Sequence, residues 1–303
     1  MTQSLTNKIS ALLVDNGPML GKELMAHLDG TDYLSAWQAC FKSEELQLSQ
    51  FSRYYLRFDK TRDDMIRLSP SILRDFLSFT LVSLPDQRDG VLERLIRLSN
   101  EHMYISRWKI GLGRKVLADV FDRLSKEESE HICAFLAGDL AYYLGHNEPR
   151  EVEAVGEMVR GSDIDIVIVY DGLDEGVIRQ IDQQMLTAKN YLMRSPDSRQ
   201  ELDFVVKPLK TMRQQFDYGT ISEKIASKIV FESLFMAGSV GLYETIMDTL
   251  EFTGTRGRIE ADFEKGLADR AAALSALLAM EASDLTENAQ SLFYFSQERV
   301  EFE

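Results

Sequence analysis

Cysteine, histidine and proline are scarce in this chain. Its 303 residues include two cysteines, four histidines and six prolines. Cys40 and Cys133 lie far apart and form no Cys-x-x-Cys motif, so we predict two buried thiols in a reducing cytoplasm. The histidines show no zinc spacing. The few prolines and the lack of low-complexity runs argue against a disordered chain.

The sequence also lacks long apolar runs and a surplus of positive charge. No apolar stretch approaches the roughly 20 residues that a membrane helix needs, and residues 1–8 lack the charged-then-apolar pattern of a signal peptide. The net charge of −15 argues against a whole surface that grips nucleic acid, although it allows a local basic patch. We therefore expect a cytoplasmic protein without membrane contact.

The most informative stretch that is present combines two aspartates with an apolar, mostly β-branched run. Residues 164–170 read Ile-Asp-Ile-Val-Ile-Val-Tyr, a composition typical of a buried strand. Side chains two residues apart in a strand point to the same face, so Asp163 and Asp165 project together. Two carboxylates on one face repel each other unless a cation lies between them. Magnesium typically takes one or two carboxylates plus substrate phosphates.

A third carboxylate lies near the start of a second short apolar run. Asp203 precedes Phe204, Val205 and Val206, and a helical pattern over residues 175–186 separates the two runs. If the second strand pairs beside the first, Asp203 reaches the same metals. Two metal ions roughly 4 Å apart stabilise both the attacking and the leaving oxygen of an in-line phosphoryl displacement.

These residues resemble the motifs of a known family. The stretch Gly156-Glu157, then Gly161-Ser162-Asp163-Ile164-Asp165-Ile166-Val167, with Asp203 on a later strand, resembles the nucleotidyltransferase superfamily, which shares the polymerase-β-like palm. The resemblance is closest to stand-alone bacterial members and to the catalytic part of uridylyl-removing/uridylyltransferase enzymes. It implies an α/β (α+β) fold in which helices flank a mixed sheet.

The resemblance also implies a reaction and roles for the carboxylates. A nucleoside triphosphate such as ATP would bind with Mg²⁺, two ions being expected, and its nucleoside monophosphate would pass to an acceptor while pyrophosphate leaves. Asp163, Asp165 and Asp203 would be the metal-binding and catalytic residues. Asp203 would in addition serve as the base or orient the attacking hydroxyl.

The family has a Gly-Ser or Gly-Gly turn upstream, and Gly138-Asp139 is the best candidate here. Gly138 would let the backbone approach the phosphates, and Ser162 would hydrogen-bond nearby. Asp139 stands where serine is usual. A carboxylate at that position faces incoming phosphates unfavourably unless it is turned away or neutralised.

Two groups of basic residues are candidates for phosphate contact. Lys224 and Lys228 are four residues apart on a predicted helix over residues 222–235 and so share a face. Lysines suit phosphate oxygens as mobile point charges, while a helix with both lysines in solvent is the alternative. A second cluster could face a triphosphate or an acidic acceptor, although a solvated helix face is the favoured interpretation. It comprises Arg107, Lys109, Arg114 and Lys115.

The N-terminal residues resemble a winged helix-turn-helix, with three short helices followed by a β-hairpin formed by residues 46–48 and 54–58. In this interpretation the third helix is the recognition helix and the hairpin is the wing. The unit would contact nucleic acid or, since it is not basic, would serve protein contacts or dimerisation. The residues concerned are Trp37, Gln38 and Lys42 on the helix and Arg53 and Arg57 on the wing.

The predicted organisation has four parts, and the C-terminal one would pack on the palm or form a homodimer. They are a winged-helix-like domain (1–62), a helical connector (63–130), the nucleotidyltransferase palm (131–220) and a C-terminal helical region (221–303).

The predicted function is Mg²⁺-dependent nucleotidyl transfer to a protein, RNA or small-molecule acceptor. Its rival is a DNA-binding regulator whose nucleotidyltransferase-like domain senses nucleotide without turnover, which Asp139 favours. A purely structural palm is opposed by the three carboxylates, since little besides metal binding keeps three acids together.

Overall fold

The computed structural model describes residues 2–58, 66–152, 156–281 and 287–295. Over these ranges the chain is a mixture of helices and strands, as the sequence predicts. The predicted domain boundary at residue 62 lies outside them. Every helix in the described ranges is too short or too polar to cross a lipid bilayer.

The described chain contains twelve α-helices, a short 3₁₀-helix (Asp139–Tyr142) and eleven strands. The helices are α1 (Thr2–Asn16), α2 (Gly21–Met25), α3 (Tyr33–Lys42), α4 (Ile72–Phe79), α5 (Arg88–Phe121), α6 (Lys126–Glu130), α7 (Glu175–Arg194), α8 (Leu209–Gln215), α9 (Ile221–Phe231), α10 (Val240–Phe252), α11 (Thr255–Ala279) and α12 (Glu287–Phe293). The strands are β1 (Met19–Leu20), β2 (Gln47–Gln50), β3 (Tyr55–Arg57), β4 (Arg67–Ser69), β5 (Thr80–Ser83), β6 (Ile132–Ala137), β7 (Pro149–Val152), β8 (Glu157–Arg160), β9 (Ile164–Tyr170), β10 (Leu202–Pro208) and β11 (Leu234–Gly238).

The chain forms two compact units, and the first is built from both ends of the sequence. It comprises Met1–Asn100 together with Phe263–Glu303, and the second unit is Glu101–Asp262. Helices α5 and α11 each contribute residues to both units.

The strands of the first unit pair differently from the predicted hairpin. Strand β5 lies between β1 and β2 in a three-stranded sheet, antiparallel to both, and β3 pairs with β4. The hairpin predicted from residues 46–48 and 54–58 is therefore wrong. Leu81 and Val82 of β5 are completely buried. This strand lies in the segment predicted to be helical, yet it is the central strand of the three-stranded sheet. Strand formation here depends on burial, which a short local pattern does not reveal.

Helix α3 turns its predicted recognition residues into the core of the first unit. Trp37 is fully buried and its ring centroid lies 5.6 Å from that of Phe293 in α12. The Gln38 side chain is also buried and donates hydrogen bonds to the carbonyl oxygens of Leu277 (2.6 Å) and Met280 (2.8 Å). The prediction that Trp37 and Gln38 contact nucleic acid is therefore wrong, because the C-terminal segment covers them.

The other residues assigned to nucleic-acid contact have different surroundings. Lys42 and Arg53 are exposed. The guanidinium of Arg57 lies 4.1 Å from the centroid of the Phe295 ring, and that of Arg67 lies 4.6 Å from it. Arg57 is thus engaged in a cation–π contact within the unit.

Both cysteines are buried free thiols, as predicted. Cys40 lies in the first unit and Cys133 in the second. Burial raises the pKa of each thiol to about 12, so neither forms the reactive thiolate at neutral pH.

The second unit is organised around a mixed four-stranded sheet in the order β10-β9-β6-β11. Strands β9 and β10 are parallel and α7 connects them, which confirms the predicted order of strand, helix and strand. Strand β6 is antiparallel to β9, and β11 is antiparallel to β6. The end of β6 therefore lies beside the beginnings of β9 and β10.

Alternation along β9 separates an apolar face from an acidic one. Ile164, Ile166 and Ile168 are buried in one cluster with residues of α5 and α7, including Leu117 and Met185. Residues one position away from these isoleucines point to the opposite face of the sheet. That face carries the carboxylates.

Candidate metal centre

Three aspartates gather at the beginnings of two adjacent strands. Asp203 of β10 lies directly beside Asp165 of β9 in the parallel register, and Asp163 precedes Asp165 by two residues. Carboxylate oxygens of the three lie within 4.8 Å of one another. Hard divalent cations prefer such oxygen ligands. The predicted proximity of these residues is confirmed, and together they could bind a metal ion.

Asp165 lies where negative charge accumulates. Burial, together with the charges of Asp203, Asp139 and Glu232 and against an opposing effect of Lys228, raises the pKa of its carboxyl group to about 7. Like charges that cannot move apart favour protonation of one of them. A bound cation would relieve this repulsion, so the donor set fits a divalent metal.

Two ammonium groups offset part of the acidic charge. Lys189 of α7 forms an ion pair with Asp203, and the Lys228 Nζ lies 2.7 Å from Glu232 Oε1. Burial raises the pKa of Glu232, while Lys228 lowers it. Asp139, the departure from the family pattern, lies close enough to Asp165 to influence it.

The two lysines predicted for nucleotide contact lie in different surroundings. Lys228 lines the same cavity as Asp165 and Asp203. The Lys224 Nζ lies 3.1 Å from Asp262 Oδ2, and Lys224 is not among the residues that line this cavity. Helix α9 therefore directs only one of the pair toward the carboxylates.

Lys189 and Glu232 belong to the site, although the sequence patterns above do not predict them as site residues. Glu232 follows Lys228 by four residues, and an oppositely charged pair at that spacing on a helix is a recognisable signal. Lys189 has no comparable local signal, because its contact depends on how α7 packs beside β10.

The turn after β6 brings the backbone against Asp165. Gly138 has φ +74°, and a Cβ atom built on it would lie 2.5 Å from Asp165 Oδ2. The positive φ favours glycine here, and a larger residue would have to displace the Asp165 carboxylate. Its N–H donates a hydrogen bond to Glu232 Oε1 at 3.2 Å.

A buried lysine anchors the chain immediately before the aspartates. Lys109 of α5 is fully buried, and its Nζ donates hydrogen bonds of 2.6 Å to the carbonyl oxygens of both Arg160 and Ser162. The favoured interpretation of Lys109 as part of a solvated face is wrong, because its ammonium reaches these backbone oxygens. Arg107, Arg114 and Lys115 are exposed, as that interpretation expected.

The Ser162 hydroxyl has a structural role. Its side chain is buried, and Oγ accepts a hydrogen bond from the backbone N–H of His146 at 3.2 Å. The hydroxyl predicted to lie near a nucleotide thus holds the loop that precedes β7.

An open cavity of about 390 Å³ lies beside Asp165 and Asp203, while Asp163 is not among its lining residues. Its volume suits a small-molecule ligand. It is lined at one end by Gly138, Asp165, Asp203, Lys228 and Glu232, with apolar groups of the strands beside them.

The chain matches none of the protein-family models, curated proteins or solved structures with which it was compared. Any function inferred for this cavity therefore rests on its own residues.

Proposed function

We propose that this protein is a Mg²⁺-dependent nucleotidyltransferase, which moves a nucleoside monophosphate from a nucleoside triphosphate to an acceptor hydroxyl and releases pyrophosphate. The observation that carries the proposal is the convergence of Asp163, Asp165 and Asp203 at the beginnings of two parallel strands. The glycine turn after β6 adjoins them, as the resemblance in the sequence leads one to expect.

Each carboxylate has a role in this proposal. Asp163, Asp165 and Asp203 would hold Mg²⁺, which when bound supplies positive charge to the phosphate oxygens and orients them. The side chain of Asp203 is 45% exposed and lies on the edge strand of the sheet in the described chain. It is the carboxylate best placed to accept a proton from an acceptor hydroxyl. Lys189 stabilises its negative charge.

Most of the remaining catalysis would come from positioning the reacting groups. Phosphoryl transfer needs chiefly alignment and charge neutralisation rather than covalent chemistry by the protein. Lys109 holds the backbone on which Asp163 is placed, and Gly138 leaves room for the Asp165 carboxylate. The acceptor would be a protein, an RNA or a small molecule, with the net charge of −15 favouring acceptors other than large nucleic acids.

Calorimetric titration with ATP, GTP, CTP and UTP in the presence of Mg²⁺ tests the proposal. The native chain should bind at least one triphosphate, and Asp163→Ala/Asp165→Ala should abolish that binding. The control Asp182→Ala/Asp248→Ala removes two exposed carboxylates of the same unit and should bind normally. Absence of metal-dependent binding of all four nucleotides to the native chain would refute the proposal.

A second candidate function is nucleotide sensing without turnover. Asp139, which lies close enough to Asp165 to affect its pKa, favours it, because it stands where the family resemblance expects the serine of the phosphate-binding turn. DNA binding by such a regulator would not use Trp37 or Gln38, which are buried. The two functions differ in one measurement: transfer of label from an α-phosphate-labelled triphosphate to an acceptor in a cell extract would establish turnover.

A further inference from the structure

Three hydrogen-bond donors converge on the carboxylate of Glu232. The backbone N–H of Gly138 lies 3.2 Å from Oε1, Lys228 Nζ lies 2.7 Å from Oε1, and the Tyr142 hydroxyl lies 3.2 Å from Oε2. The Glu232 side chain is only 1% exposed. An amide, an ammonium and a hydroxyl around one carboxylate are the donors that proteins also direct at phosphate oxygens.

Two of these three donors lie in the lining of the cavity. Gly138, Lys228 and Glu232 line the cavity together with Asp165 and Asp203. A phosphate group beside the carboxylate-bound metal would therefore meet the same amide and ammonium that now contact Glu232. Since a carboxylate and a phosphate are both anions, the two cannot share these donors without strong repulsion.

We propose that Gly138 N–H and Lys228 form a polyphosphate subsite, and that Glu232, which also accepts a hydrogen bond from the Tyr142 hydroxyl, occupies it as an internal competitor that must leave when a substrate phosphate binds. This inference rests on the proposed function, because the metal-bound triphosphate would bring the phosphate to these donors. Glu232 is the C-cap residue that follows α9, and it lies four residues after Lys228.

The competition has a measurable consequence for affinity. Glu232→Gln keeps the shape and an acceptor oxygen for Gly138 N–H but removes the negative charge. We expect this variant to bind tripolyphosphate with Mg²⁺ about tenfold more tightly than the native chain, a change typical of coupled binding events. Isothermal titration with tripolyphosphate isolates the phosphate subsite from any contact with a base or ribose.

Three further variants show where such a gain arises. Glu244→Gln makes the same charge change at an exposed position of α10 and should leave the affinity unchanged. Glu232→Gln/Lys228→Met should lose the gain, because the released ammonium is one of the donors. Glu232→Ala removes the competing anion by a different route and should also bind more tightly, which keeps the test available if Glu232→Gln does not fold.

Several results would overturn the inference. Unchanged or weaker tripolyphosphate binding by both Glu232 variants, or an equal gain in Glu244→Gln, would do so. Weaker binding of Mg²⁺ alone to Glu232→Gln would instead assign Glu232 to the metal. If the native chain binds Mg²⁺–tripolyphosphate through Asp163 and Asp165 and the Glu232 variants bind no more tightly, the inference alone fails. If no form binds it, the inference fails, and the titration with the four nucleotides decides the proposed function separately.

Discussion

At the scale of single residues, Asp165 is the side chain on which the site depends. It adjoins Asp203 across the strand pair, and its Oδ2 lies against the Gly138 turn. Its pKa of about 7 follows from burial first and neighbouring carboxylates second. A protein that keeps this arrangement loses stability through charge repulsion, and metal binding is the simplest physical compensation.

The first prediction concerns the charge of Asp165. Its folded pKa lies above the unfolded value of about 3.9, so the folded state is favoured below pH 4 and this contribution disappears as the pH rises through about 7. In EDTA, Asp165→Asn should therefore be more stable than the native chain at pH 8, by about 1–3 kcal/mol, and show little difference at pH 4. Urea unfolding at both pH values measures this.

The same variant should lose the stabilisation that Mg²⁺ gives the native chain. A variant less stable than the native chain at pH 8 without metal would contradict the assignment of charge repulsion to Asp165.

The second prediction concerns the Gly138 turn. Gly138 and Gly172 have nearly the same φ, +74° and +73°, but a Cβ atom would meet Asp165 only at Gly138 and nothing within 4 Å at Gly172. Both glycine-to-alanine changes should cost about 1–3 kcal/mol, because a side chain disfavours a positive φ. Gly138→Ala should additionally reduce Mg²⁺ affinity at least tenfold, because Asp165 must move.

Calorimetric titration of Mg²⁺ into the two variants makes that comparison. Equal metal affinities would show that the Asp165 carboxylate tolerates a side chain at position 138.

At the scale of elements, one face of α5 supports the segment that precedes β9. His102 Nδ1 lies 2.9 Å from the carbonyl oxygen of Gly145, and Ser106 Oγ accepts the N–H of Gly145 at 2.9 Å. Lys109 follows with its bonds to Arg160 and Ser162. These positions recur at intervals of four and three residues, the spacing of one helix face. A single helix thus holds both Gly145 and the backbone at Arg160 and Ser162, immediately before Asp163.

The third prediction tests this support. Lys109→Met keeps the length of the side chain but leaves two backbone carbonyl groups without their ammonium donor, which should cost about 2–4 kcal/mol. Lys115→Met changes an exposed lysine of the same helix and should cost less than about 0.5 kcal/mol.

Hydrogen exchange around residues 160–163 should also accelerate in Lys109→Met but not in Lys115→Met. Equal stabilities of the two variants would show that the buried ammonium adds nothing to the fold.

At the scale of the whole molecule, the first unit depends on a segment that returns from the end of the chain. Ala273, Leu277 and Phe293 are buried in the same core cluster as Trp37. A buried ion pair adds to this contact, with Arg270 lying 2.8 Å from Asp75. Asp75 also accepts hydrogen bonds from Ser52, Tyr54 and Gln50.

The fourth prediction concerns that ion pair. Arg270→Met leaves the Asp75 carboxylate buried without its cation and should destabilise the first unit by about 3–5 kcal/mol. Lys265→Met breaks an exposed pair on the same helix and should cost less than about 1 kcal/mol. In Arg270→Met/Asp75→Asn most of the loss should be recovered, since no charge remains buried.

The two tryptophans make the measurement specific to one unit. Trp37 belongs to the first unit and Trp108 to the second, so a Trp108→Phe background leaves fluorescence from Trp37 alone during urea unfolding. A small effect of Arg270→Met, similar to that of Lys265→Met, would refute the structural importance of the pair.

Local patterns in the sequence were sufficient for the centre of the second unit. The β-branched alternation predicts β9 with its isoleucines on one face and Asp163 and Asp165 on the other, because side-chain direction in a strand follows from chain geometry alone. The order of strand, helix and strand follows from a change of hydrophobic period. Asp203 could be placed beside them because a parallel crossover brings consecutive strands together.

Tertiary structure alone decided the partners of these residues. Lys109, Lys189 and the C-terminal helices reach their contacts across long stretches of chain, and such contacts depend on how whole elements pack. For the same reason the predicted hairpin and the predicted recognition helix were wrong: short strands choose partners by burial, and Trp37 and Gln38 face the core. The sequence by itself determined which groups could bind a metal, and the packing decided which charges surround them.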